Sequence, residues 1–167
     1  MTTTISTHTL ANGLKLVHVP QPQRVGWCGL VVNSGSRDDA PNLFGQAHFV
    51  EHTIFKGTTH RRACHIINRM ETVGGELNAY TTKEGTVLYS VFPEPYFNRA
   101  IDLLADLVMY SVFPDTEIQR EKEVVLEEVY SYRDAPSEAV FDDFEDLIFG
   151  ADTAMGHNIL GTEAHIQ

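Results

Sequence analysis

The chain has 167 residues, 43% of them hydrophobic and 21% charged, a balance typical of one globular domain with a sizeable core. Its formal net charge of −11 argues against nucleic acid or an anionic membrane surface as a partner, because phosphate groups would be repelled. No leader peptide is visible at the start and no apolar run reaches the ~18 residues of a membrane span, so we expect a cytoplasmic protein.

The first part of the chain predicts three strands. Asn12-Gly13 lies between two segments of alternating polarity, which predicts an antiparallel hairpin of residues 7–10 and 14–19. Residues 25–33 form a nearly continuous apolar run, which predicts a strand at the centre of its sheet.

The rest of the chain alternates between helices and one further strand pair. Helices are predicted at residues 42–55, 63–73, 96–111, 116–133 and 137–149, strands at 77–82 and 86–92, and a loop at 150–167. Asp38 or Asp39 can cap the first helix, whose apolar residues surround most of its circumference as in a buried helix, and Ser137 can cap the last. This order predicts an α+β domain, with a largely antiparallel sheet and helices packed on one face.

Two histidines stand four residues apart in the first helix, in the sequence His48-Phe-Val-Glu-His52. Residues at this spacing project from one helix face, so both imidazoles can reach one metal ion. Glu51 is placed to hold a water beside that ion and to take its proton as general base, in the order of the H-x-x-E-H inverzincin signature. The same pattern also arises as a polar patch on a half-exposed helix. A metal site therefore needs a third ligand.

Candidates for that ligand lie in the acidic helix over residues 116–133. At about 100° per residue, Glu128 shares a face with Glu121 and two valines, whereas Glu127 lies among charged and polar residues. Glu128 is therefore the more buried candidate ligand, and Glu121, two turns earlier, can orient a histidine ligand. The alternative is a solvated acidic face with one stray buried carboxylate.

Several blocks of sequence together resemble the M16 family of metallopeptidases, which includes pitrilysin, insulinase and the mitochondrial processing peptidases. The blocks are His48-Phe-Val-Glu-His52, Phe55-Lys-Gly-Thr58, Gly74-Gly-Glu-Leu-Asn-Ala-Tyr-Thr81 with Glu84, Thr86 and Tyr89, Glu121-Lys-Glu-Val-Val-Leu-Glu-Glu-Val129, and Leu160-Gly-Thr162. They cover most of the chain, in order and at spacing like that of the family.

The resemblance implies the M16 fold and a zinc-dependent endopeptidase acting on extended peptides or small unfolded polypeptides. The implied site comprises a zinc ion, Zn²⁺, held by His48, His52 and Glu128, with Glu51 as general base and Glu121 as supporting acid.

The resemblance also implies a place for the substrate. Asn78 and Ala79 match the family segment that lines the cleft, where an extended peptide can add to a sheet edge. The other interpretation of Asn78 is an ordinary turn-flanking residue in a plain strand.

Members of the family resemble clamshells of two or four related domains, and a later domain contributes substrate-binding groups that have no counterpart here. We therefore expect residues 1–167 to form a single N-terminal zinc-peptidase domain, a fragment of a longer chain whose cleft a further M16-type domain or subunit completes. Alone, it should bind zinc but hydrolyse peptides weakly or not at all. The alternatives are a non-catalytic partner or scaffold subunit that keeps the fold, and a zinc hydrolase with another class of substrate.

Overall fold

The computed structural model describes residues 4–166. The strands are β1 (Ser6–Thr9), β2 (Lys15–His18), β3 (Val25–Val32), β4 (Glu76–Thr81) and β5 (Thr86–Pro93). The helices are α1 (Gln46–Thr53), α2 (Ala63–Glu71), α3 (Phe97–Tyr110), α4 (Asp115–Arg133), α5 (Pro136–Phe149) and α6 (Glu163–Ile166), and a 3₁₀ turn, Ile54–Lys56, extends α1. Among the described residues, no helix has the length and apolar character needed to cross a bilayer.

The strands form two antiparallel sheets, a β1–β2 hairpin and a three-stranded sheet in the order β3-β5-β4. Within residues 4–166, β5 is thus the central strand and β3 an edge strand, so the prediction of a central strand at 25–33 is wrong. The run is apolar on both faces for a different reason. Leu30 packs into the core beneath the sheet, while on the opposite face Trp27 stacks on Tyr89 with ring centroids 5.9 Å apart.

The helices α1, α2 and α3 pack against one face of the three-stranded sheet, which confirms the predicted α+β arrangement. The buried side chains of this layer include Ile54, Ile66, Met70, Leu88, Phe92, Leu103, Leu104 and Leu107. A second, smaller core lies where α6 packs on α4, around Val125, Val129 and Ile166. This second core fixes α4 beside α1, which is the contact that positions the candidate site.

The helix α1 differs from its prediction in its start and in its burial. Residues 42–45 form turns, and Gly45 has the left-handed backbone angle φ of 97°, so the helix begins only at Gln46. Gly45 is the N-cap residue, and Asp39 supports the start of the helix from six residues earlier, because its carboxylate accepts hydrogen bonds from the Gly45 and Ala47 amides at 2.9 and 3.0 Å. The prediction of a buried helix holds only in part, since His48 and Thr53 are buried but Val50 is exposed.

The C-terminal part also departs from the sequence expectation in two places. The helix α5 begins at Pro136 with Ala135 preceding it, so Ser137 is not its cap. Proline suits this first position because its missing N–H would have no partner within the helix. Residues 163–166, predicted as loop, form the short helix α6. The other element bounds fall within two residues of the prediction.

Candidate metal centre

The side chains of His48, His52 and Glu128 converge where α1 packs against α4. Nε2 of His48 lies 3.7 Å from Glu128 Oε2, and Nε2 of His52 lies 3.1 Å from the same oxygen. One ligand atom from each of the three residues lies within 4.8 Å of the other two, so a single cation can contact all three.

Local sequence explains why these groups meet. The two histidines are one turn apart on α1, and their rings pack edge to face with centroids 4.6 Å apart. On α4, Val125 and Val129 flank Glu128 in the chain and are buried together with part of Phe49 from α1. This apolar contact sets the distance between α1 and α4. The imidazoles of His48 and His52 on α1 are therefore held opposite the carboxylate of Glu128 on α4.

The donor set fits a zinc ion. Two imidazoles and one carboxylate are a combination found in catalytic zinc sites, which keep one further coordination position open. Burial, with the neighbouring His52 as a smaller cause, lowers the pKa of His48 from its ordinary 6.5 to about 4. At neutral pH this imidazole is therefore uncharged, as a metal ligand must be. The side chain of Glu128 is half-buried and Glu127 is exposed, which confirms the predicted difference in burial.

A cleft of about 520 Å³ opens beside these groups, and Glu51 lines it together with His52. The Glu51 carboxylate is held from one side, because the Thr81 hydroxyl donates a hydrogen bond of 2.6 Å to its Oε2. Thr81 lies at the end of β4, on the sheet face that packs against the helices. This contact was not predicted from the sequence, because it joins two elements that lie far apart in the chain.

Glu121 lies against the opposite side of the His52 ring. Its Oε1 is 3.1 Å from His52 Nδ1, and its Oε2 is 2.6 Å from Lys56 Nζ. When Nδ1 donates its hydrogen to this carboxylate, the lone pair of His52 is on Nε2, the nitrogen that faces Glu128. Glu121 was predicted from the sequence, whereas Lys56 was not. Lys56 could have been found from its position four residues after His52, which predicts the same helix face.

The two candidate substrate-binding residues are placed differently. Asn78 is exposed and lines the cleft, where its Nδ2 is 3.3 Å from Glu76 Oε1. The side chain of Ala79 points into the core and is buried, so this residue can meet a ligand only through its backbone. Within residues 4–166, β4 is paired on one side by β5 and has no strand on its other side, and residues 76–78 of this strand line the cleft.

Comparison with known proteins gives one consistent result. Residues 16–163 match the family described as Insulinase (Peptidase family M16). Over 160 residues the chain is 38% identical to an uncharacterized zinc protease of Bacillus subtilis, covering 95% of this chain and 39% of that protein.

Two solved structures share the fold at low sequence identity. A protease from Helicobacter pylori superposes with a TM-score of 0.89 at 24% identity, covering 99% of this chain and 40% of that one. A peptidase M16 inactive domain from Pseudomonas fluorescens superposes with a TM-score of 0.83 at 19% identity, covering 98% of this chain and 42% of that one. The chain thus spans 39–42% of the length of these three proteins. Because the family match extends over nearly the whole sequence, the chain belongs to the insulinase family of peptidases, family M16.

Proposed function

We propose that the protein is a zinc-dependent metalloendopeptidase that hydrolyses extended peptides or small unfolded polypeptides, and that residues 1–167 are its N-terminal zinc-peptidase domain. The observation that carries the proposal is the convergence of His48, His52 and Glu128 beside an open cleft that His52 and Glu51 line. Bound there, a zinc ion would supply Lewis acidity, polarising the scissile carbonyl and lowering the pKa of a water molecule towards ~7.

Glu51 is the proposed general base. Its carboxylate accepts a proton from the attacking water as the water oxygen bonds to the carbonyl carbon, and then passes that proton to the leaving amine as the C–N bond breaks. The hydrogen bond from Thr81 occupies Oε2, so Oε1 is the oxygen left for proton transfer. Glu121 acts on the histidine side of the site by fixing the orientation of the His52 ring.

The edge of β4 is the proposed binding surface for the peptide. A substrate that adds to this edge makes main-chain hydrogen bonds along residues 76–81, which recognise an extended backbone more than particular side chains. Asn78 lines the cleft at this edge, and Ala79 takes part through its backbone. Because the chain spans 39% of the Bacillus protein, we propose that a further M16-type domain or subunit forms the rest of the cleft.

Replacement of the general base tests this proposal. Glu51→Gln in the full-length protein keeps the size and hydrogen bonding of the side chain but removes its ability to accept a proton. We expect stoichiometric zinc to be retained, as measured by elemental analysis, and hydrolysis of a quenched fluorescent peptide to fall by at least ~100-fold. A near-normal rate in this variant would contradict the role of Glu51.

A second candidate function is a non-catalytic subunit that keeps the fold, as the inactive M16 domain from Pseudomonas fluorescens shows the same architecture. The two candidate functions predict different zinc contents for the folded protein. A catalytic subunit binds one zinc ion at neutral pH, whereas a folded protein without stoichiometric zinc would favour the scaffold. Both histidines lie within contact distance of Glu128, which supports the catalytic function over the scaffold.

A further inference from the structure

Lys56 contacts the group that orients a metal ligand, although it is not a ligand itself. Its Nζ is 2.6 Å from Glu121 Oε2, while the other oxygen of the same carboxylate is 3.1 Å from His52 Nδ1. The three side chains form a row in which one carboxylate is held at both oxygens, by an ammonium group on one side and an imidazole on the other.

The fold holds Lys56 firmly in this position. The residue lies in the 3₁₀ turn that extends α1, one helical turn beyond His52, so both side chains reach towards α4 from the same side. The Ser111 hydroxyl contacts this turn, with its Oγ 3.1 Å from the Ile54 carbonyl oxygen and 2.7 Å from the Leu107 carbonyl oxygen, the two acceptors that share its one hydrogen. The following loop is anchored by Thr58, whose hydroxyl donates to buried Asp106 at 2.7 Å.

The Glu121 carboxylate requires such a partner because it is removed from water. Its side chain is only 8% exposed in the middle of α4, and a buried carboxylate is stable only when it is paired and hydrogen-bonded. Two further carboxylates add negative charge nearby: Glu128 contacts the other nitrogen of the His52 ring, and Glu51 lines the cleft that Glu121 also lines. The ammonium group of Lys56 both offsets this charge and fixes the direction in which Glu121 points.

We infer that Lys56 is a positioning residue for the metal centre: by holding Glu121 Oε2, it directs Oε1 to His52 Nδ1 and so keeps the opposite ring nitrogen aimed at the cation. This inference rests on the proposed zinc site. Lys56 thus affects metal binding through Glu121. Contact with substrate is not its main role, although Lys56 also lines the cleft.

The test is a set of zinc affinities measured in the full-length protein by competition with a chromophoric chelator. Lys56→Met keeps the length of the side chain and removes its charge. We expect its zinc Kd to rise roughly tenfold, at the lower end of the 10- to 100-fold loss that follows removal of a partner of a ligand. Lys56→Arg should recover most of the affinity. Cobalt-substituted Lys56→Met should show a changed visible absorption spectrum, because the orientation of one ligand ring has changed.

A double variant shows whether the effect passes through Glu121. In a Glu121→Gln background, where zinc binding is already weakened, Lys56→Met should have little further effect on Kd. Lys15→Met, on the exposed strand β2, is the matched control for loss of one positive charge and should leave Kd unchanged. Circular dichroism checks that each variant is folded.

Two results would overturn the inference. One is a Lys56→Met protein with wild-type zinc affinity and cobalt spectrum, whether or not its KM for peptide has changed. The other is an equal loss of affinity in the wild-type and Glu121→Gln backgrounds. Failure of the proposed function is distinguishable from both, because it would appear as a wild-type protein that binds no zinc.

Discussion

At the scale of single residues, the site depends on groups that hold the reactive side chains in one orientation. The Thr81 hydroxyl is the clearest example, since it donates a hydrogen bond of 2.6 Å to Oε2 of Glu51 and so holds that oxygen in place. A carboxylate held in this way loses less freedom when it accepts a proton, so the hydrogen bond should matter more for the rate than for metal binding.

We therefore expect Thr81→Val to reduce kcat about tenfold while zinc content stays stoichiometric, because valine keeps the shape of threonine but cannot donate the bond. Steady-state hydrolysis of a fluorescent peptide by the full-length protein measures this change. Thr81→Ser, which keeps the hydroxyl, should restore most of the activity. The role of Thr81 would be wrong if the valine variant turned over substrate at the wild-type rate.

His48 gives the metal-free protein a predictable dependence on pH. Its pKa is about 4 in the fold and 6.5 ordinarily, so between these values the unfolded chain binds more protons than the folded one. The free energy of unfolding must then fall as the pH is lowered from about 6.5 to 4, and the full loss from this group is about 3 kcal/mol.

The measurement is urea unfolding of chelator-treated protein at a series of pH values. The wild-type protein should lose stability across this range more steeply than His48→Gln, in which the titrating group is absent. Parallel curves for the two proteins would contradict the assignment.

At the scale of elements, the anchoring of the loop after α1 is a second feature with a measurable consequence. The buried carboxylate of Asp106 is held by Thr58 at 2.7 Å and by His60 and Arg61 at 2.6 Å each. Arg61 also contacts Asp102 at 2.7 Å, but the Asp102 side chain is 53% exposed. The same guanidinium therefore makes one buried and one exposed ion pair.

Asp106→Asn should destabilise the fold by ~3–5 kcal/mol, because it removes the buried charge that pairs with the largely buried Arg61 and accepts a hydrogen bond from buried Thr58. Asp102→Asn is the control and should cost less than ~1 kcal/mol, as expected for an exposed pair. Chemical denaturation of both variants measures the difference. Equal losses would show that Asp106 does not anchor the loop.

The periodicity of the helices was sufficient to predict much of the site. It placed His48 and His52 on one helix face, and it indicated that Glu128 is more buried than Glu127. It could not place Lys56 against Glu121, because that contact depends on how two separate helices pack. The start of α1 was missed because the apolar pattern continues through Gly45, whose backbone adopts a left-handed angle. β3 was taken as central because an apolar run does not reveal which strand lies beside it.

At the scale of the whole molecule, the described residues account for one wall of a cleft. The chain spans 39% of its Bacillus relative, and residues 76–78 of β4 line the cleft beside the candidate metal centre. The proposed zinc site uses residues of α1 and α4 alone, whereas the proposed peptide site is completed by a further domain or subunit. Metal binding and turnover should therefore separate when the protein is divided.

We expect residues 1–167 alone to bind one zinc ion but to hydrolyse a fluorescent peptide at a small fraction of the full-length rate. Elemental analysis and the peptidase assay on the same preparations measure the two properties. Robust turnover by the 167-residue chain would show that the cleft needs no further domain or subunit.

The most direct test of the central claim is anomalous X-ray scattering at the zinc edge from crystals of the full-length protein. We predict a single zinc ion with His48, His52 and Glu128 as its protein ligands. A folded protein with no zinc between α1 and α4, or with the carboxylate of residue 128 far from both imidazoles, would contradict the proposed metallopeptidase.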